Sequence, residues 1–187
     1  MKRTSSWAGR SVLVAGIFVF TVSSTALSQG STNPFSFGVS AGASIPVGDL
    51  ANGVKTGFNV GAQVGVRQPM WPVGLRLDGQ FNRFKSKNET ESFNSDITSV
   101  SLDVVFMPSG MTSPLKPYFL AGPSYFHSSA GSHGVSISSN DWGLNAGAGV
   151  EYLLTGFSTF LEARYDWIHT GNGSSSFIPI SVGIKIP

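Results

Sequence analysis

The sequence predicts an all-β protein: an eight-stranded antiparallel up-and-down transmembrane β-barrel, preceded by a cleavable signal peptide. Three observations lead there. Segments of about ten residues, the length a tilted strand needs to cross a bilayer, alternate strictly between apolar residues and small or polar ones. Only 12% of residues are charged, against ~25% in typical soluble domains, and there are 23 glycines. Beyond the N-terminal leader no apolar run approaches the ~20 residues of a membrane-spanning helix.

The leader comes first. Lys2, Arg3 and Arg10 form a basic start, Ser11 to Val22 is an apolar core, and small residues at Ala26 and Ser28 close it. That order is expected of a signal peptide over residues 1–28, cut between Ser28 and Gln29. Removing the first 28 of 187 residues leaves 159, enough for one domain over 29–187. Three of the twelve Lys and Arg go with the leader, leaving nine against ten Asp and Glu. A mature charge of −1 provides no footprint for nucleic acid. Cysteine is absent, which excludes disulfides, thiolate metal sites and a cysteine nucleophile.

The strands follow. "FSFGVSAGASI", Phe35 to Ile45, sets Phe, Val, Ala and Ile against Ser and Gly alone. "FNVGAQVGVR" (58–67), "VGLRLDGQF" (73–81) and "VSLDVVF" (100–106) repeat the alternation, as do "WGLNAGAGVEY" (142–152), "FSTFLEARYDW" (157–167) and "IPISVGIKI" (178–186). "PYFLAGPSYFH" (117–127), the fifth strand in order, is apolar on both faces, so its orientation stays open. Pro123 and Pro179 each delete a ladder donor. Pro179 is expected near a loop, and Pro123 at a bulge or at the upper end of the fifth strand.

Connections after odd strands are polar and rich in Gly, Ser and Asn. Those after even strands, such as "QPMWP" and "LTG", average shorter. Two unlike ends are what an outer-membrane barrel has, with long external loops and short periplasmic turns. The expected contact surfaces are "KSKNETESFNSD" and the Ser/Gly-rich connection "HSSAGSHGVSISSN".

Two barrels of opposite polarity fit the alternation. A soluble lipocalin-like barrel turns its apolar face inward around an apolar ligand; a membrane barrel turns it to lipid. A water-facing surface would carry many Lys and Glu, but this non-apolar face is mostly Gly, Ser and Asn. An eight-stranded barrel is just wide enough inside for its own side chains, so small residues belong in the bore. The membrane polarity is therefore the expectation, with outer-membrane lipid as the partner of the apolar face.

Bore charges then need partners, because an unpaired buried charge is costly. Arg67, Arg76, Asp78, Asp103, Glu151, Glu162, Arg164 and Lys185 fall on the inner face and are expected to form an ion-pair network that plugs it. A gated ion path is the functional alternative. Aromatics near strand ends are expected to form two interfacial girdles, Trp71, Tyr118 and Tyr152 at the short-turn end and Tyr125, Trp142, Tyr165 and Trp167 at the long-loop end.

"IPVGDLANGVKTGFNVGAQVGV", "KPYFLAGPSYF", "GLNAGAGVEYLL", "FLEARYDWIHT" and "IPISVGIKIP" together resemble the small bacterial outer-membrane β-barrel domain family related to OmpA and OmpX. The resemblance implies insertion into a Gram-negative-type outer membrane by the barrel-assembly machinery. It implies no activity, since relatives serve as structural, adhesive or stress-related surface proteins. Family members commonly end on an aromatic assembly signal, whereas this sequence ends "IKIP" at Pro187; the resemblance then implies either that an earlier aromatic such as Phe177 serves that role or that assembly is less efficient.

Three places could carry chemistry. "RYDWIHTGNG" puts His169 at the end of the seventh strand, loosely like a lipid A deacylase, but Thr170 follows it where a His-x-Ser spacing would be needed. His127, His133 and His169 share the long-loop end without a metal-ligand spacing, and "GAG" at 147–149 has no helix after it. No cofactor, metal or catalytic residue is assigned. The leading expectation is a non-enzymatic integral outer-membrane barrel; a lipid-modifying barrel enzyme and the lipocalin-like barrel are the alternatives.

Overall fold

The structure, a computed structural model, describes residues 33–68, 71–87, 94–108, 113–132, 135–171 and 173–187. The signal segment with its Ser28–Gln29 junction, and His133, lie outside the described residues. The strands are β1 (Phe35–Val47), β2 (Gly57–Val66), β3 (Val73–Lys85), β4 (Asn94–Phe106), β5 (Leu115–Ser132), β6 (Val135–Leu153), β7 (Ser158–Thr170) and β8 (Gly173–Ile186). A one-turn helix, α1 (Leu50–Gly53), lies between β1 and β2. Each strand pairs antiparallel with the next, and β8 returns to β1 from Phe37↔Ile186 to Val47↔Ser176. Closure satisfies the backbone hydrogen bonds without a sheet edge, the condition for strands in hydrocarbon.

The faces sort as the alternation requires. Phe37, Leu75, Val104 and Val182 are each at least 50% exposed on the outside, while Ser44, Asn82 and Asp103 are wholly buried inside. An apolar skin this extensive far exceeds the few hundred Å² that a soluble monomer exposes. The lipocalin-like polarity is therefore overturned: the apolar face surrounds the barrel instead of lining a cavity. The ambiguous β5 resolves too, with Phe119, Ala121, Pro123 and Tyr125 outward and Tyr118, Leu120, Ser124 and Phe126 inward.

Three local expectations need correction. The third long connection is mostly ladder, since β5 and β6 continue as a hairpin to Ser132↔Val135, well past Tyr125↔Trp142. There β4 still flanks β5 as far as Asn94↔Gly131 while β7 leaves β6 at Trp142↔His169, and a ladder standing clear of lipid needs no apolar alternation, which is why its Ser-rich sequence reads as loop. Pro123 lies inside β5 with no bulge: Ser101↔Ser124 and Val104↔Ala121 keep one register on either side of it, and it faces Leu144 on β6. Pro179 likewise sits in the interior of β8, facing Ser44, with one register held from Ala163↔Ile180 to Asp166↔Phe177. Each proline withholds its missing donor from one neighbouring ladder only.

The first long connection folds back over the mouth. Val54 bridges Ser86, Lys55 N donates to Lys85 O at 2.8 Å, and Lys87 N donates to Gly53 O at 3.1 Å. Lys87 Nζ also donates to Ala51 O. These ties turn Val54 and Leu50 down into the barrel, where Val54 is buried.

Candidate functional site

The bore is the site that the fold builds, and it is layered. At the long-loop end Val54, Phe84, Ile97, Phe126, Ile168 and Phe177 form a buried apolar cluster. Phe177 meets Phe84 and Phe126 edge-on at centroid distances of 5.7 and 6.3 Å. The five on strands are inward residues; Phe84, Ile97, Ile168 and Phe177 lie toward the outer ends of their strands, and Phe126 lies farther inside β5. Alternation along short segments gives no sign that inward positions turn apolar there, so sequence reasoning missed this layer. Phe177, suggested as an assembly signal, is wholly enclosed in it.

Beneath it runs a chain of neutral polar groups. Ser181 Oγ donates to Asn59 Oδ1 at 2.8 Å, Asn59 Nδ2 to Ser44 Oγ at 3.1 Å, and Ser44 Oγ to Asn82 Oδ1 at 2.6 Å. This chain ties β8, β2, β1 and β3 across the interior.

The charged layer follows. Arg76 of β3 reaches across the bore to Glu162 of β7 with both terminal nitrogens, Nη1 at 2.7 Å and Nη2 at 3.0 Å, and gives its Nε to Asp78 at 2.7 Å. Arg164 lies 3.7 Å from Asp78, 3.6 Å from Asp103 and 3.7 Å from Glu162, and donates to Gln80 Oε1 at 3.0 Å. Asn145 Nδ2 donates to Asp103 Oδ1 at 2.7 Å and to Ser124 Oγ at 2.8 Å. Such a forked, charge-assisted arrangement is the geometry in which buried ions hold one another most firmly. Asp103 Oδ2, Arg164 Nη1, Asn145 Oδ1 and Asp166 Oδ2 have no hydrogen-bond partner among the described residues. Asp103 and Arg164 thus hold each other by charge rather than by a direct hydrogen bond.

Small inner residues make room for these few large ones. A Cβ on Gly149 would lie 2.4 Å from Tyr118 Cζ, and one on Gly147 would lie 2.8 Å from Arg164 Cγ. Below the ions, Met107, Tyr118, Leu120 and Phe160 form a second apolar cluster. Lys185 and Glu151 pair at 2.5 Å near the short-turn mouth, where a cavity of about 60 Å³ remains.

The predicted bore ions divide into three groups. Arg76, Asp78, Asp103, Glu162 and Arg164 meet in one cluster, and Glu151 and Lys185 form a separate pair. Arg67 is a correction. It follows the end of β2, is exposed, and donates to Met107 Sδ at 3.0 Å, so it stands at the mouth rather than inside the network. Tyr118 is the second correction. Its ring is inside the bore and its hydroxyl donates to Glu162 Oε2 at 2.7 Å, because position 118 shares the parity of Leu120 and Ser124. Trp71, Tyr152, Tyr125, Trp142 and Tyr165 are exposed on the outside, with Tyr125 and Trp142 edge-on at 5.1 Å. Trp167 is half-buried there, 5.7 Å from the His169 ring. Gln80, Asn145 and Asp166 join the interior without having been singled out; their inward parity is the available signal.

The catalytic alternative meets a geometric obstacle. Asp166 is buried in the bore while His169, three positions on, is exposed on the outer face, so this acid cannot orient that imidazole. His127 also points outward, its Nδ1 2.7 Å from Asn140 Oδ1.

Comparison with known proteins agrees with this geometry. A family described as the outer membrane protein β-barrel domain matches residues 12–185. The structure is similar to Neisserial surface protein A from Neisseria, with 21% identity over 82% of this chain and 97% of that one, and a TM-score of 0.67. It is similar to a major outer membrane protein of Thermus thermophilus (18% identity, 81% and 98% covered, TM-score 0.56). It also resembles Ail, the attachment invasion locus protein of Yersinia pestis (16% identity, 82% and 99% covered, TM-score 0.54). No curated protein matches by sequence.

Proposed function

Because the chain belongs to the outer membrane protein β-barrel domain family, we propose that it is a non-enzymatic integral outer-membrane protein whose bore is plugged by its own side chains and whose exposed loops make its contacts. The observation that carries the reading is the fork of Arg76 on Glu162 inside an ion cluster with Arg164, Asp78 and Asp103, with an apolar cluster on either side of it along the bore. A continuous aqueous path would leave these groups solvated and their pairing weak. Packed between Phe126 and Phe160, they occupy the bore instead. Outer-membrane lipid covers the apolar skin, and the barrel-assembly machinery is the expected agent of insertion. The long-loop end then faces the exterior, with the β5–β6 hairpin as its most protruding element among the described residues.

The test is electrical. The full chain, folded in detergent and inserted into a planar bilayer, is expected to leave the membrane without discrete conductance steps at neutral pH. Steady single-channel openings from the parent protein would defeat the plugged reading. A lipid-hydrolysing activity abolished by His169→Ala would defeat the non-enzymatic one.

A further inference from the structure

The cations of the mature chain are unevenly placed. Of the nine Lys and Arg beyond residue 28, Arg76, Arg164 and Lys185 face the bore, and Arg67 and Lys116 lie at the short-turn end. The other four, Lys55, Arg83, Lys85 and Lys87, all gather at the outer rim of β2 and β3. Lys55 N donates to Lys85 O, and Lys87 N ties to Gly53 O in the same connection, so chain paths bring the lysines to one edge. Arg83 and Lys85 share the outward parity of Leu75, Leu77 and Phe81.

Their height on the barrel gives the patch its meaning. The outward face of β3 is apolar or glycine from Val73 to Phe81, a stretch matching the ~9–11 residues a tilted strand uses to cross hydrocarbon. The next outward positions are Arg83 and Lys85. On β2 the outward row starts at Phe58, directly opposite Arg83, and the preceding chain carries Lys55. The rim therefore steps from aromatic to cationic where acyl chains give way to headgroups. Phe58 and Phe81 pack at 6.4 Å, and the Arg83 guanidinium lies over Phe81 at 5.4 Å, held there by a two-pronged pairing with Asp96 at 2.7 and 2.6 Å.

Resting on the outer-membrane reading proposed above, we propose that this edge binds the phosphate of a lipid headgroup in the outer leaflet, with the lysines around the phosphate and the acyl chains along Phe58 and Phe81. A membrane lipid suits both halves of the patch at once, whereas a soluble polyanion would use the cations and leave the aromatic ledge without a role. Attraction of about three lysines near a membrane surface corresponds to a preference on the order of a hundredfold.

The full chain is reconstituted in phosphatidylcholine nanodiscs doped with either bis-phosphorylated lipid A or its dephosphorylated form, extracted gently, and its retained lipid counted by native mass spectrometry. The phosphorylated lipid is expected to be retained preferentially. Combined Lys55→Ser, Lys85→Ser and Lys87→Ser should lower that retention about a hundredfold, while the three Lys→Arg changes preserve it and Lys116→Ser leaves it unaltered. A gel shift on boiling verifies that each variant is folded. Equal retention of the two lipids would overturn the proposal, as would full retention by the folded triple Ser variant. Displacement of the lipid by a soluble heparin fragment at equal concentration would also overturn it, identifying a surface for polyanions in solution.

Discussion

At the scale of single residues, Glu162 is the hub of the interior. It accepts both terminal nitrogens of Arg76 and the hydroxyl of Tyr118, with Arg164 close by. Truncating it leaves Arg76 buried against fewer counter-charges, a change that typically costs about 3–5 kcal/mol. Glu151 has one lysine partner, and Lys185 is half-buried near the mouth, where water takes over part of the pairing. Glu162→Ala is therefore expected to lower the urea midpoint of the detergent-folded barrel much further than Glu151→Ala; equal losses would show that the fork is not a centre of stability. Gly149 provides a second case. Gly149→Ala would drive a methyl group into the Tyr118 ring, and overpacking of this kind costs about 1–3 kcal/mol. Pairing it with Tyr118→Ala, which vacates the same space, should recover part of the packing loss in the same unfolding assay.

At the scale of elements, the connection from β1 to β2 behaves as part of the barrel interior. Val54→Asp would put a carboxylate among Phe84, Phe126 and Phe177 with no partner, and the segment is expected to swing out instead. Trypsin should then cleave after Lys55 at least about ten times faster than in the parent, a shift of roughly 1.4 kcal/mol in local opening. Unchanged cleavage would mean that the ties from Lys55, Gly53 and Ser86 hold the segment by themselves. This inward fold was not legible in "PVGDLANGVKT", whose Gly and Asn read only as loop. The strands were legible because lipid outside and a narrow bore inside impose opposite demands on alternate residues. Legibility failed where one demand was lifted. Both faces of β5 are apolar where Tyr118 and Leu120 build an inner layer, and the outer part of the β5–β6 hairpin stands in water, which asks for no alternation. Pairing of the bore ions was foreseeable from parity, but that Arg76 makes its hydrogen bonds to Glu162 across the bore, leaving Asp103 beside it on β4 at 3.8 Å, depends on the side chain's path through three dimensions.

At the scale of the whole molecule, the plugged bore proposed above predicts redundant closure. The ion cluster lies between two apolar clusters, so different kinds of contact stand in series along the bore. Removing the middle layer alone should leave the others in place. Arg76→Ser with Glu162→Ser deletes the fork by removing both of its charges together, and the barrel is expected to remain electrically silent in a planar bilayer. Opening should require the apolar caps as well. Phe126→Ala and Phe177→Ala excavate the outer layer at about 3–5 kcal/mol each, a loss that a closed ladder of eight strands can survive only if the remaining layers hold. Adding Phe160→Ala to the fork deletion opens the inner side while Phe84, Phe126 and Phe177 stay. If the closure is serial, conductance appears only in the variant lacking the fork and both sets of phenylalanines. Conductance from the fork deletion alone would show that the ions were the whole barrier and that the apolar layers are porous to water.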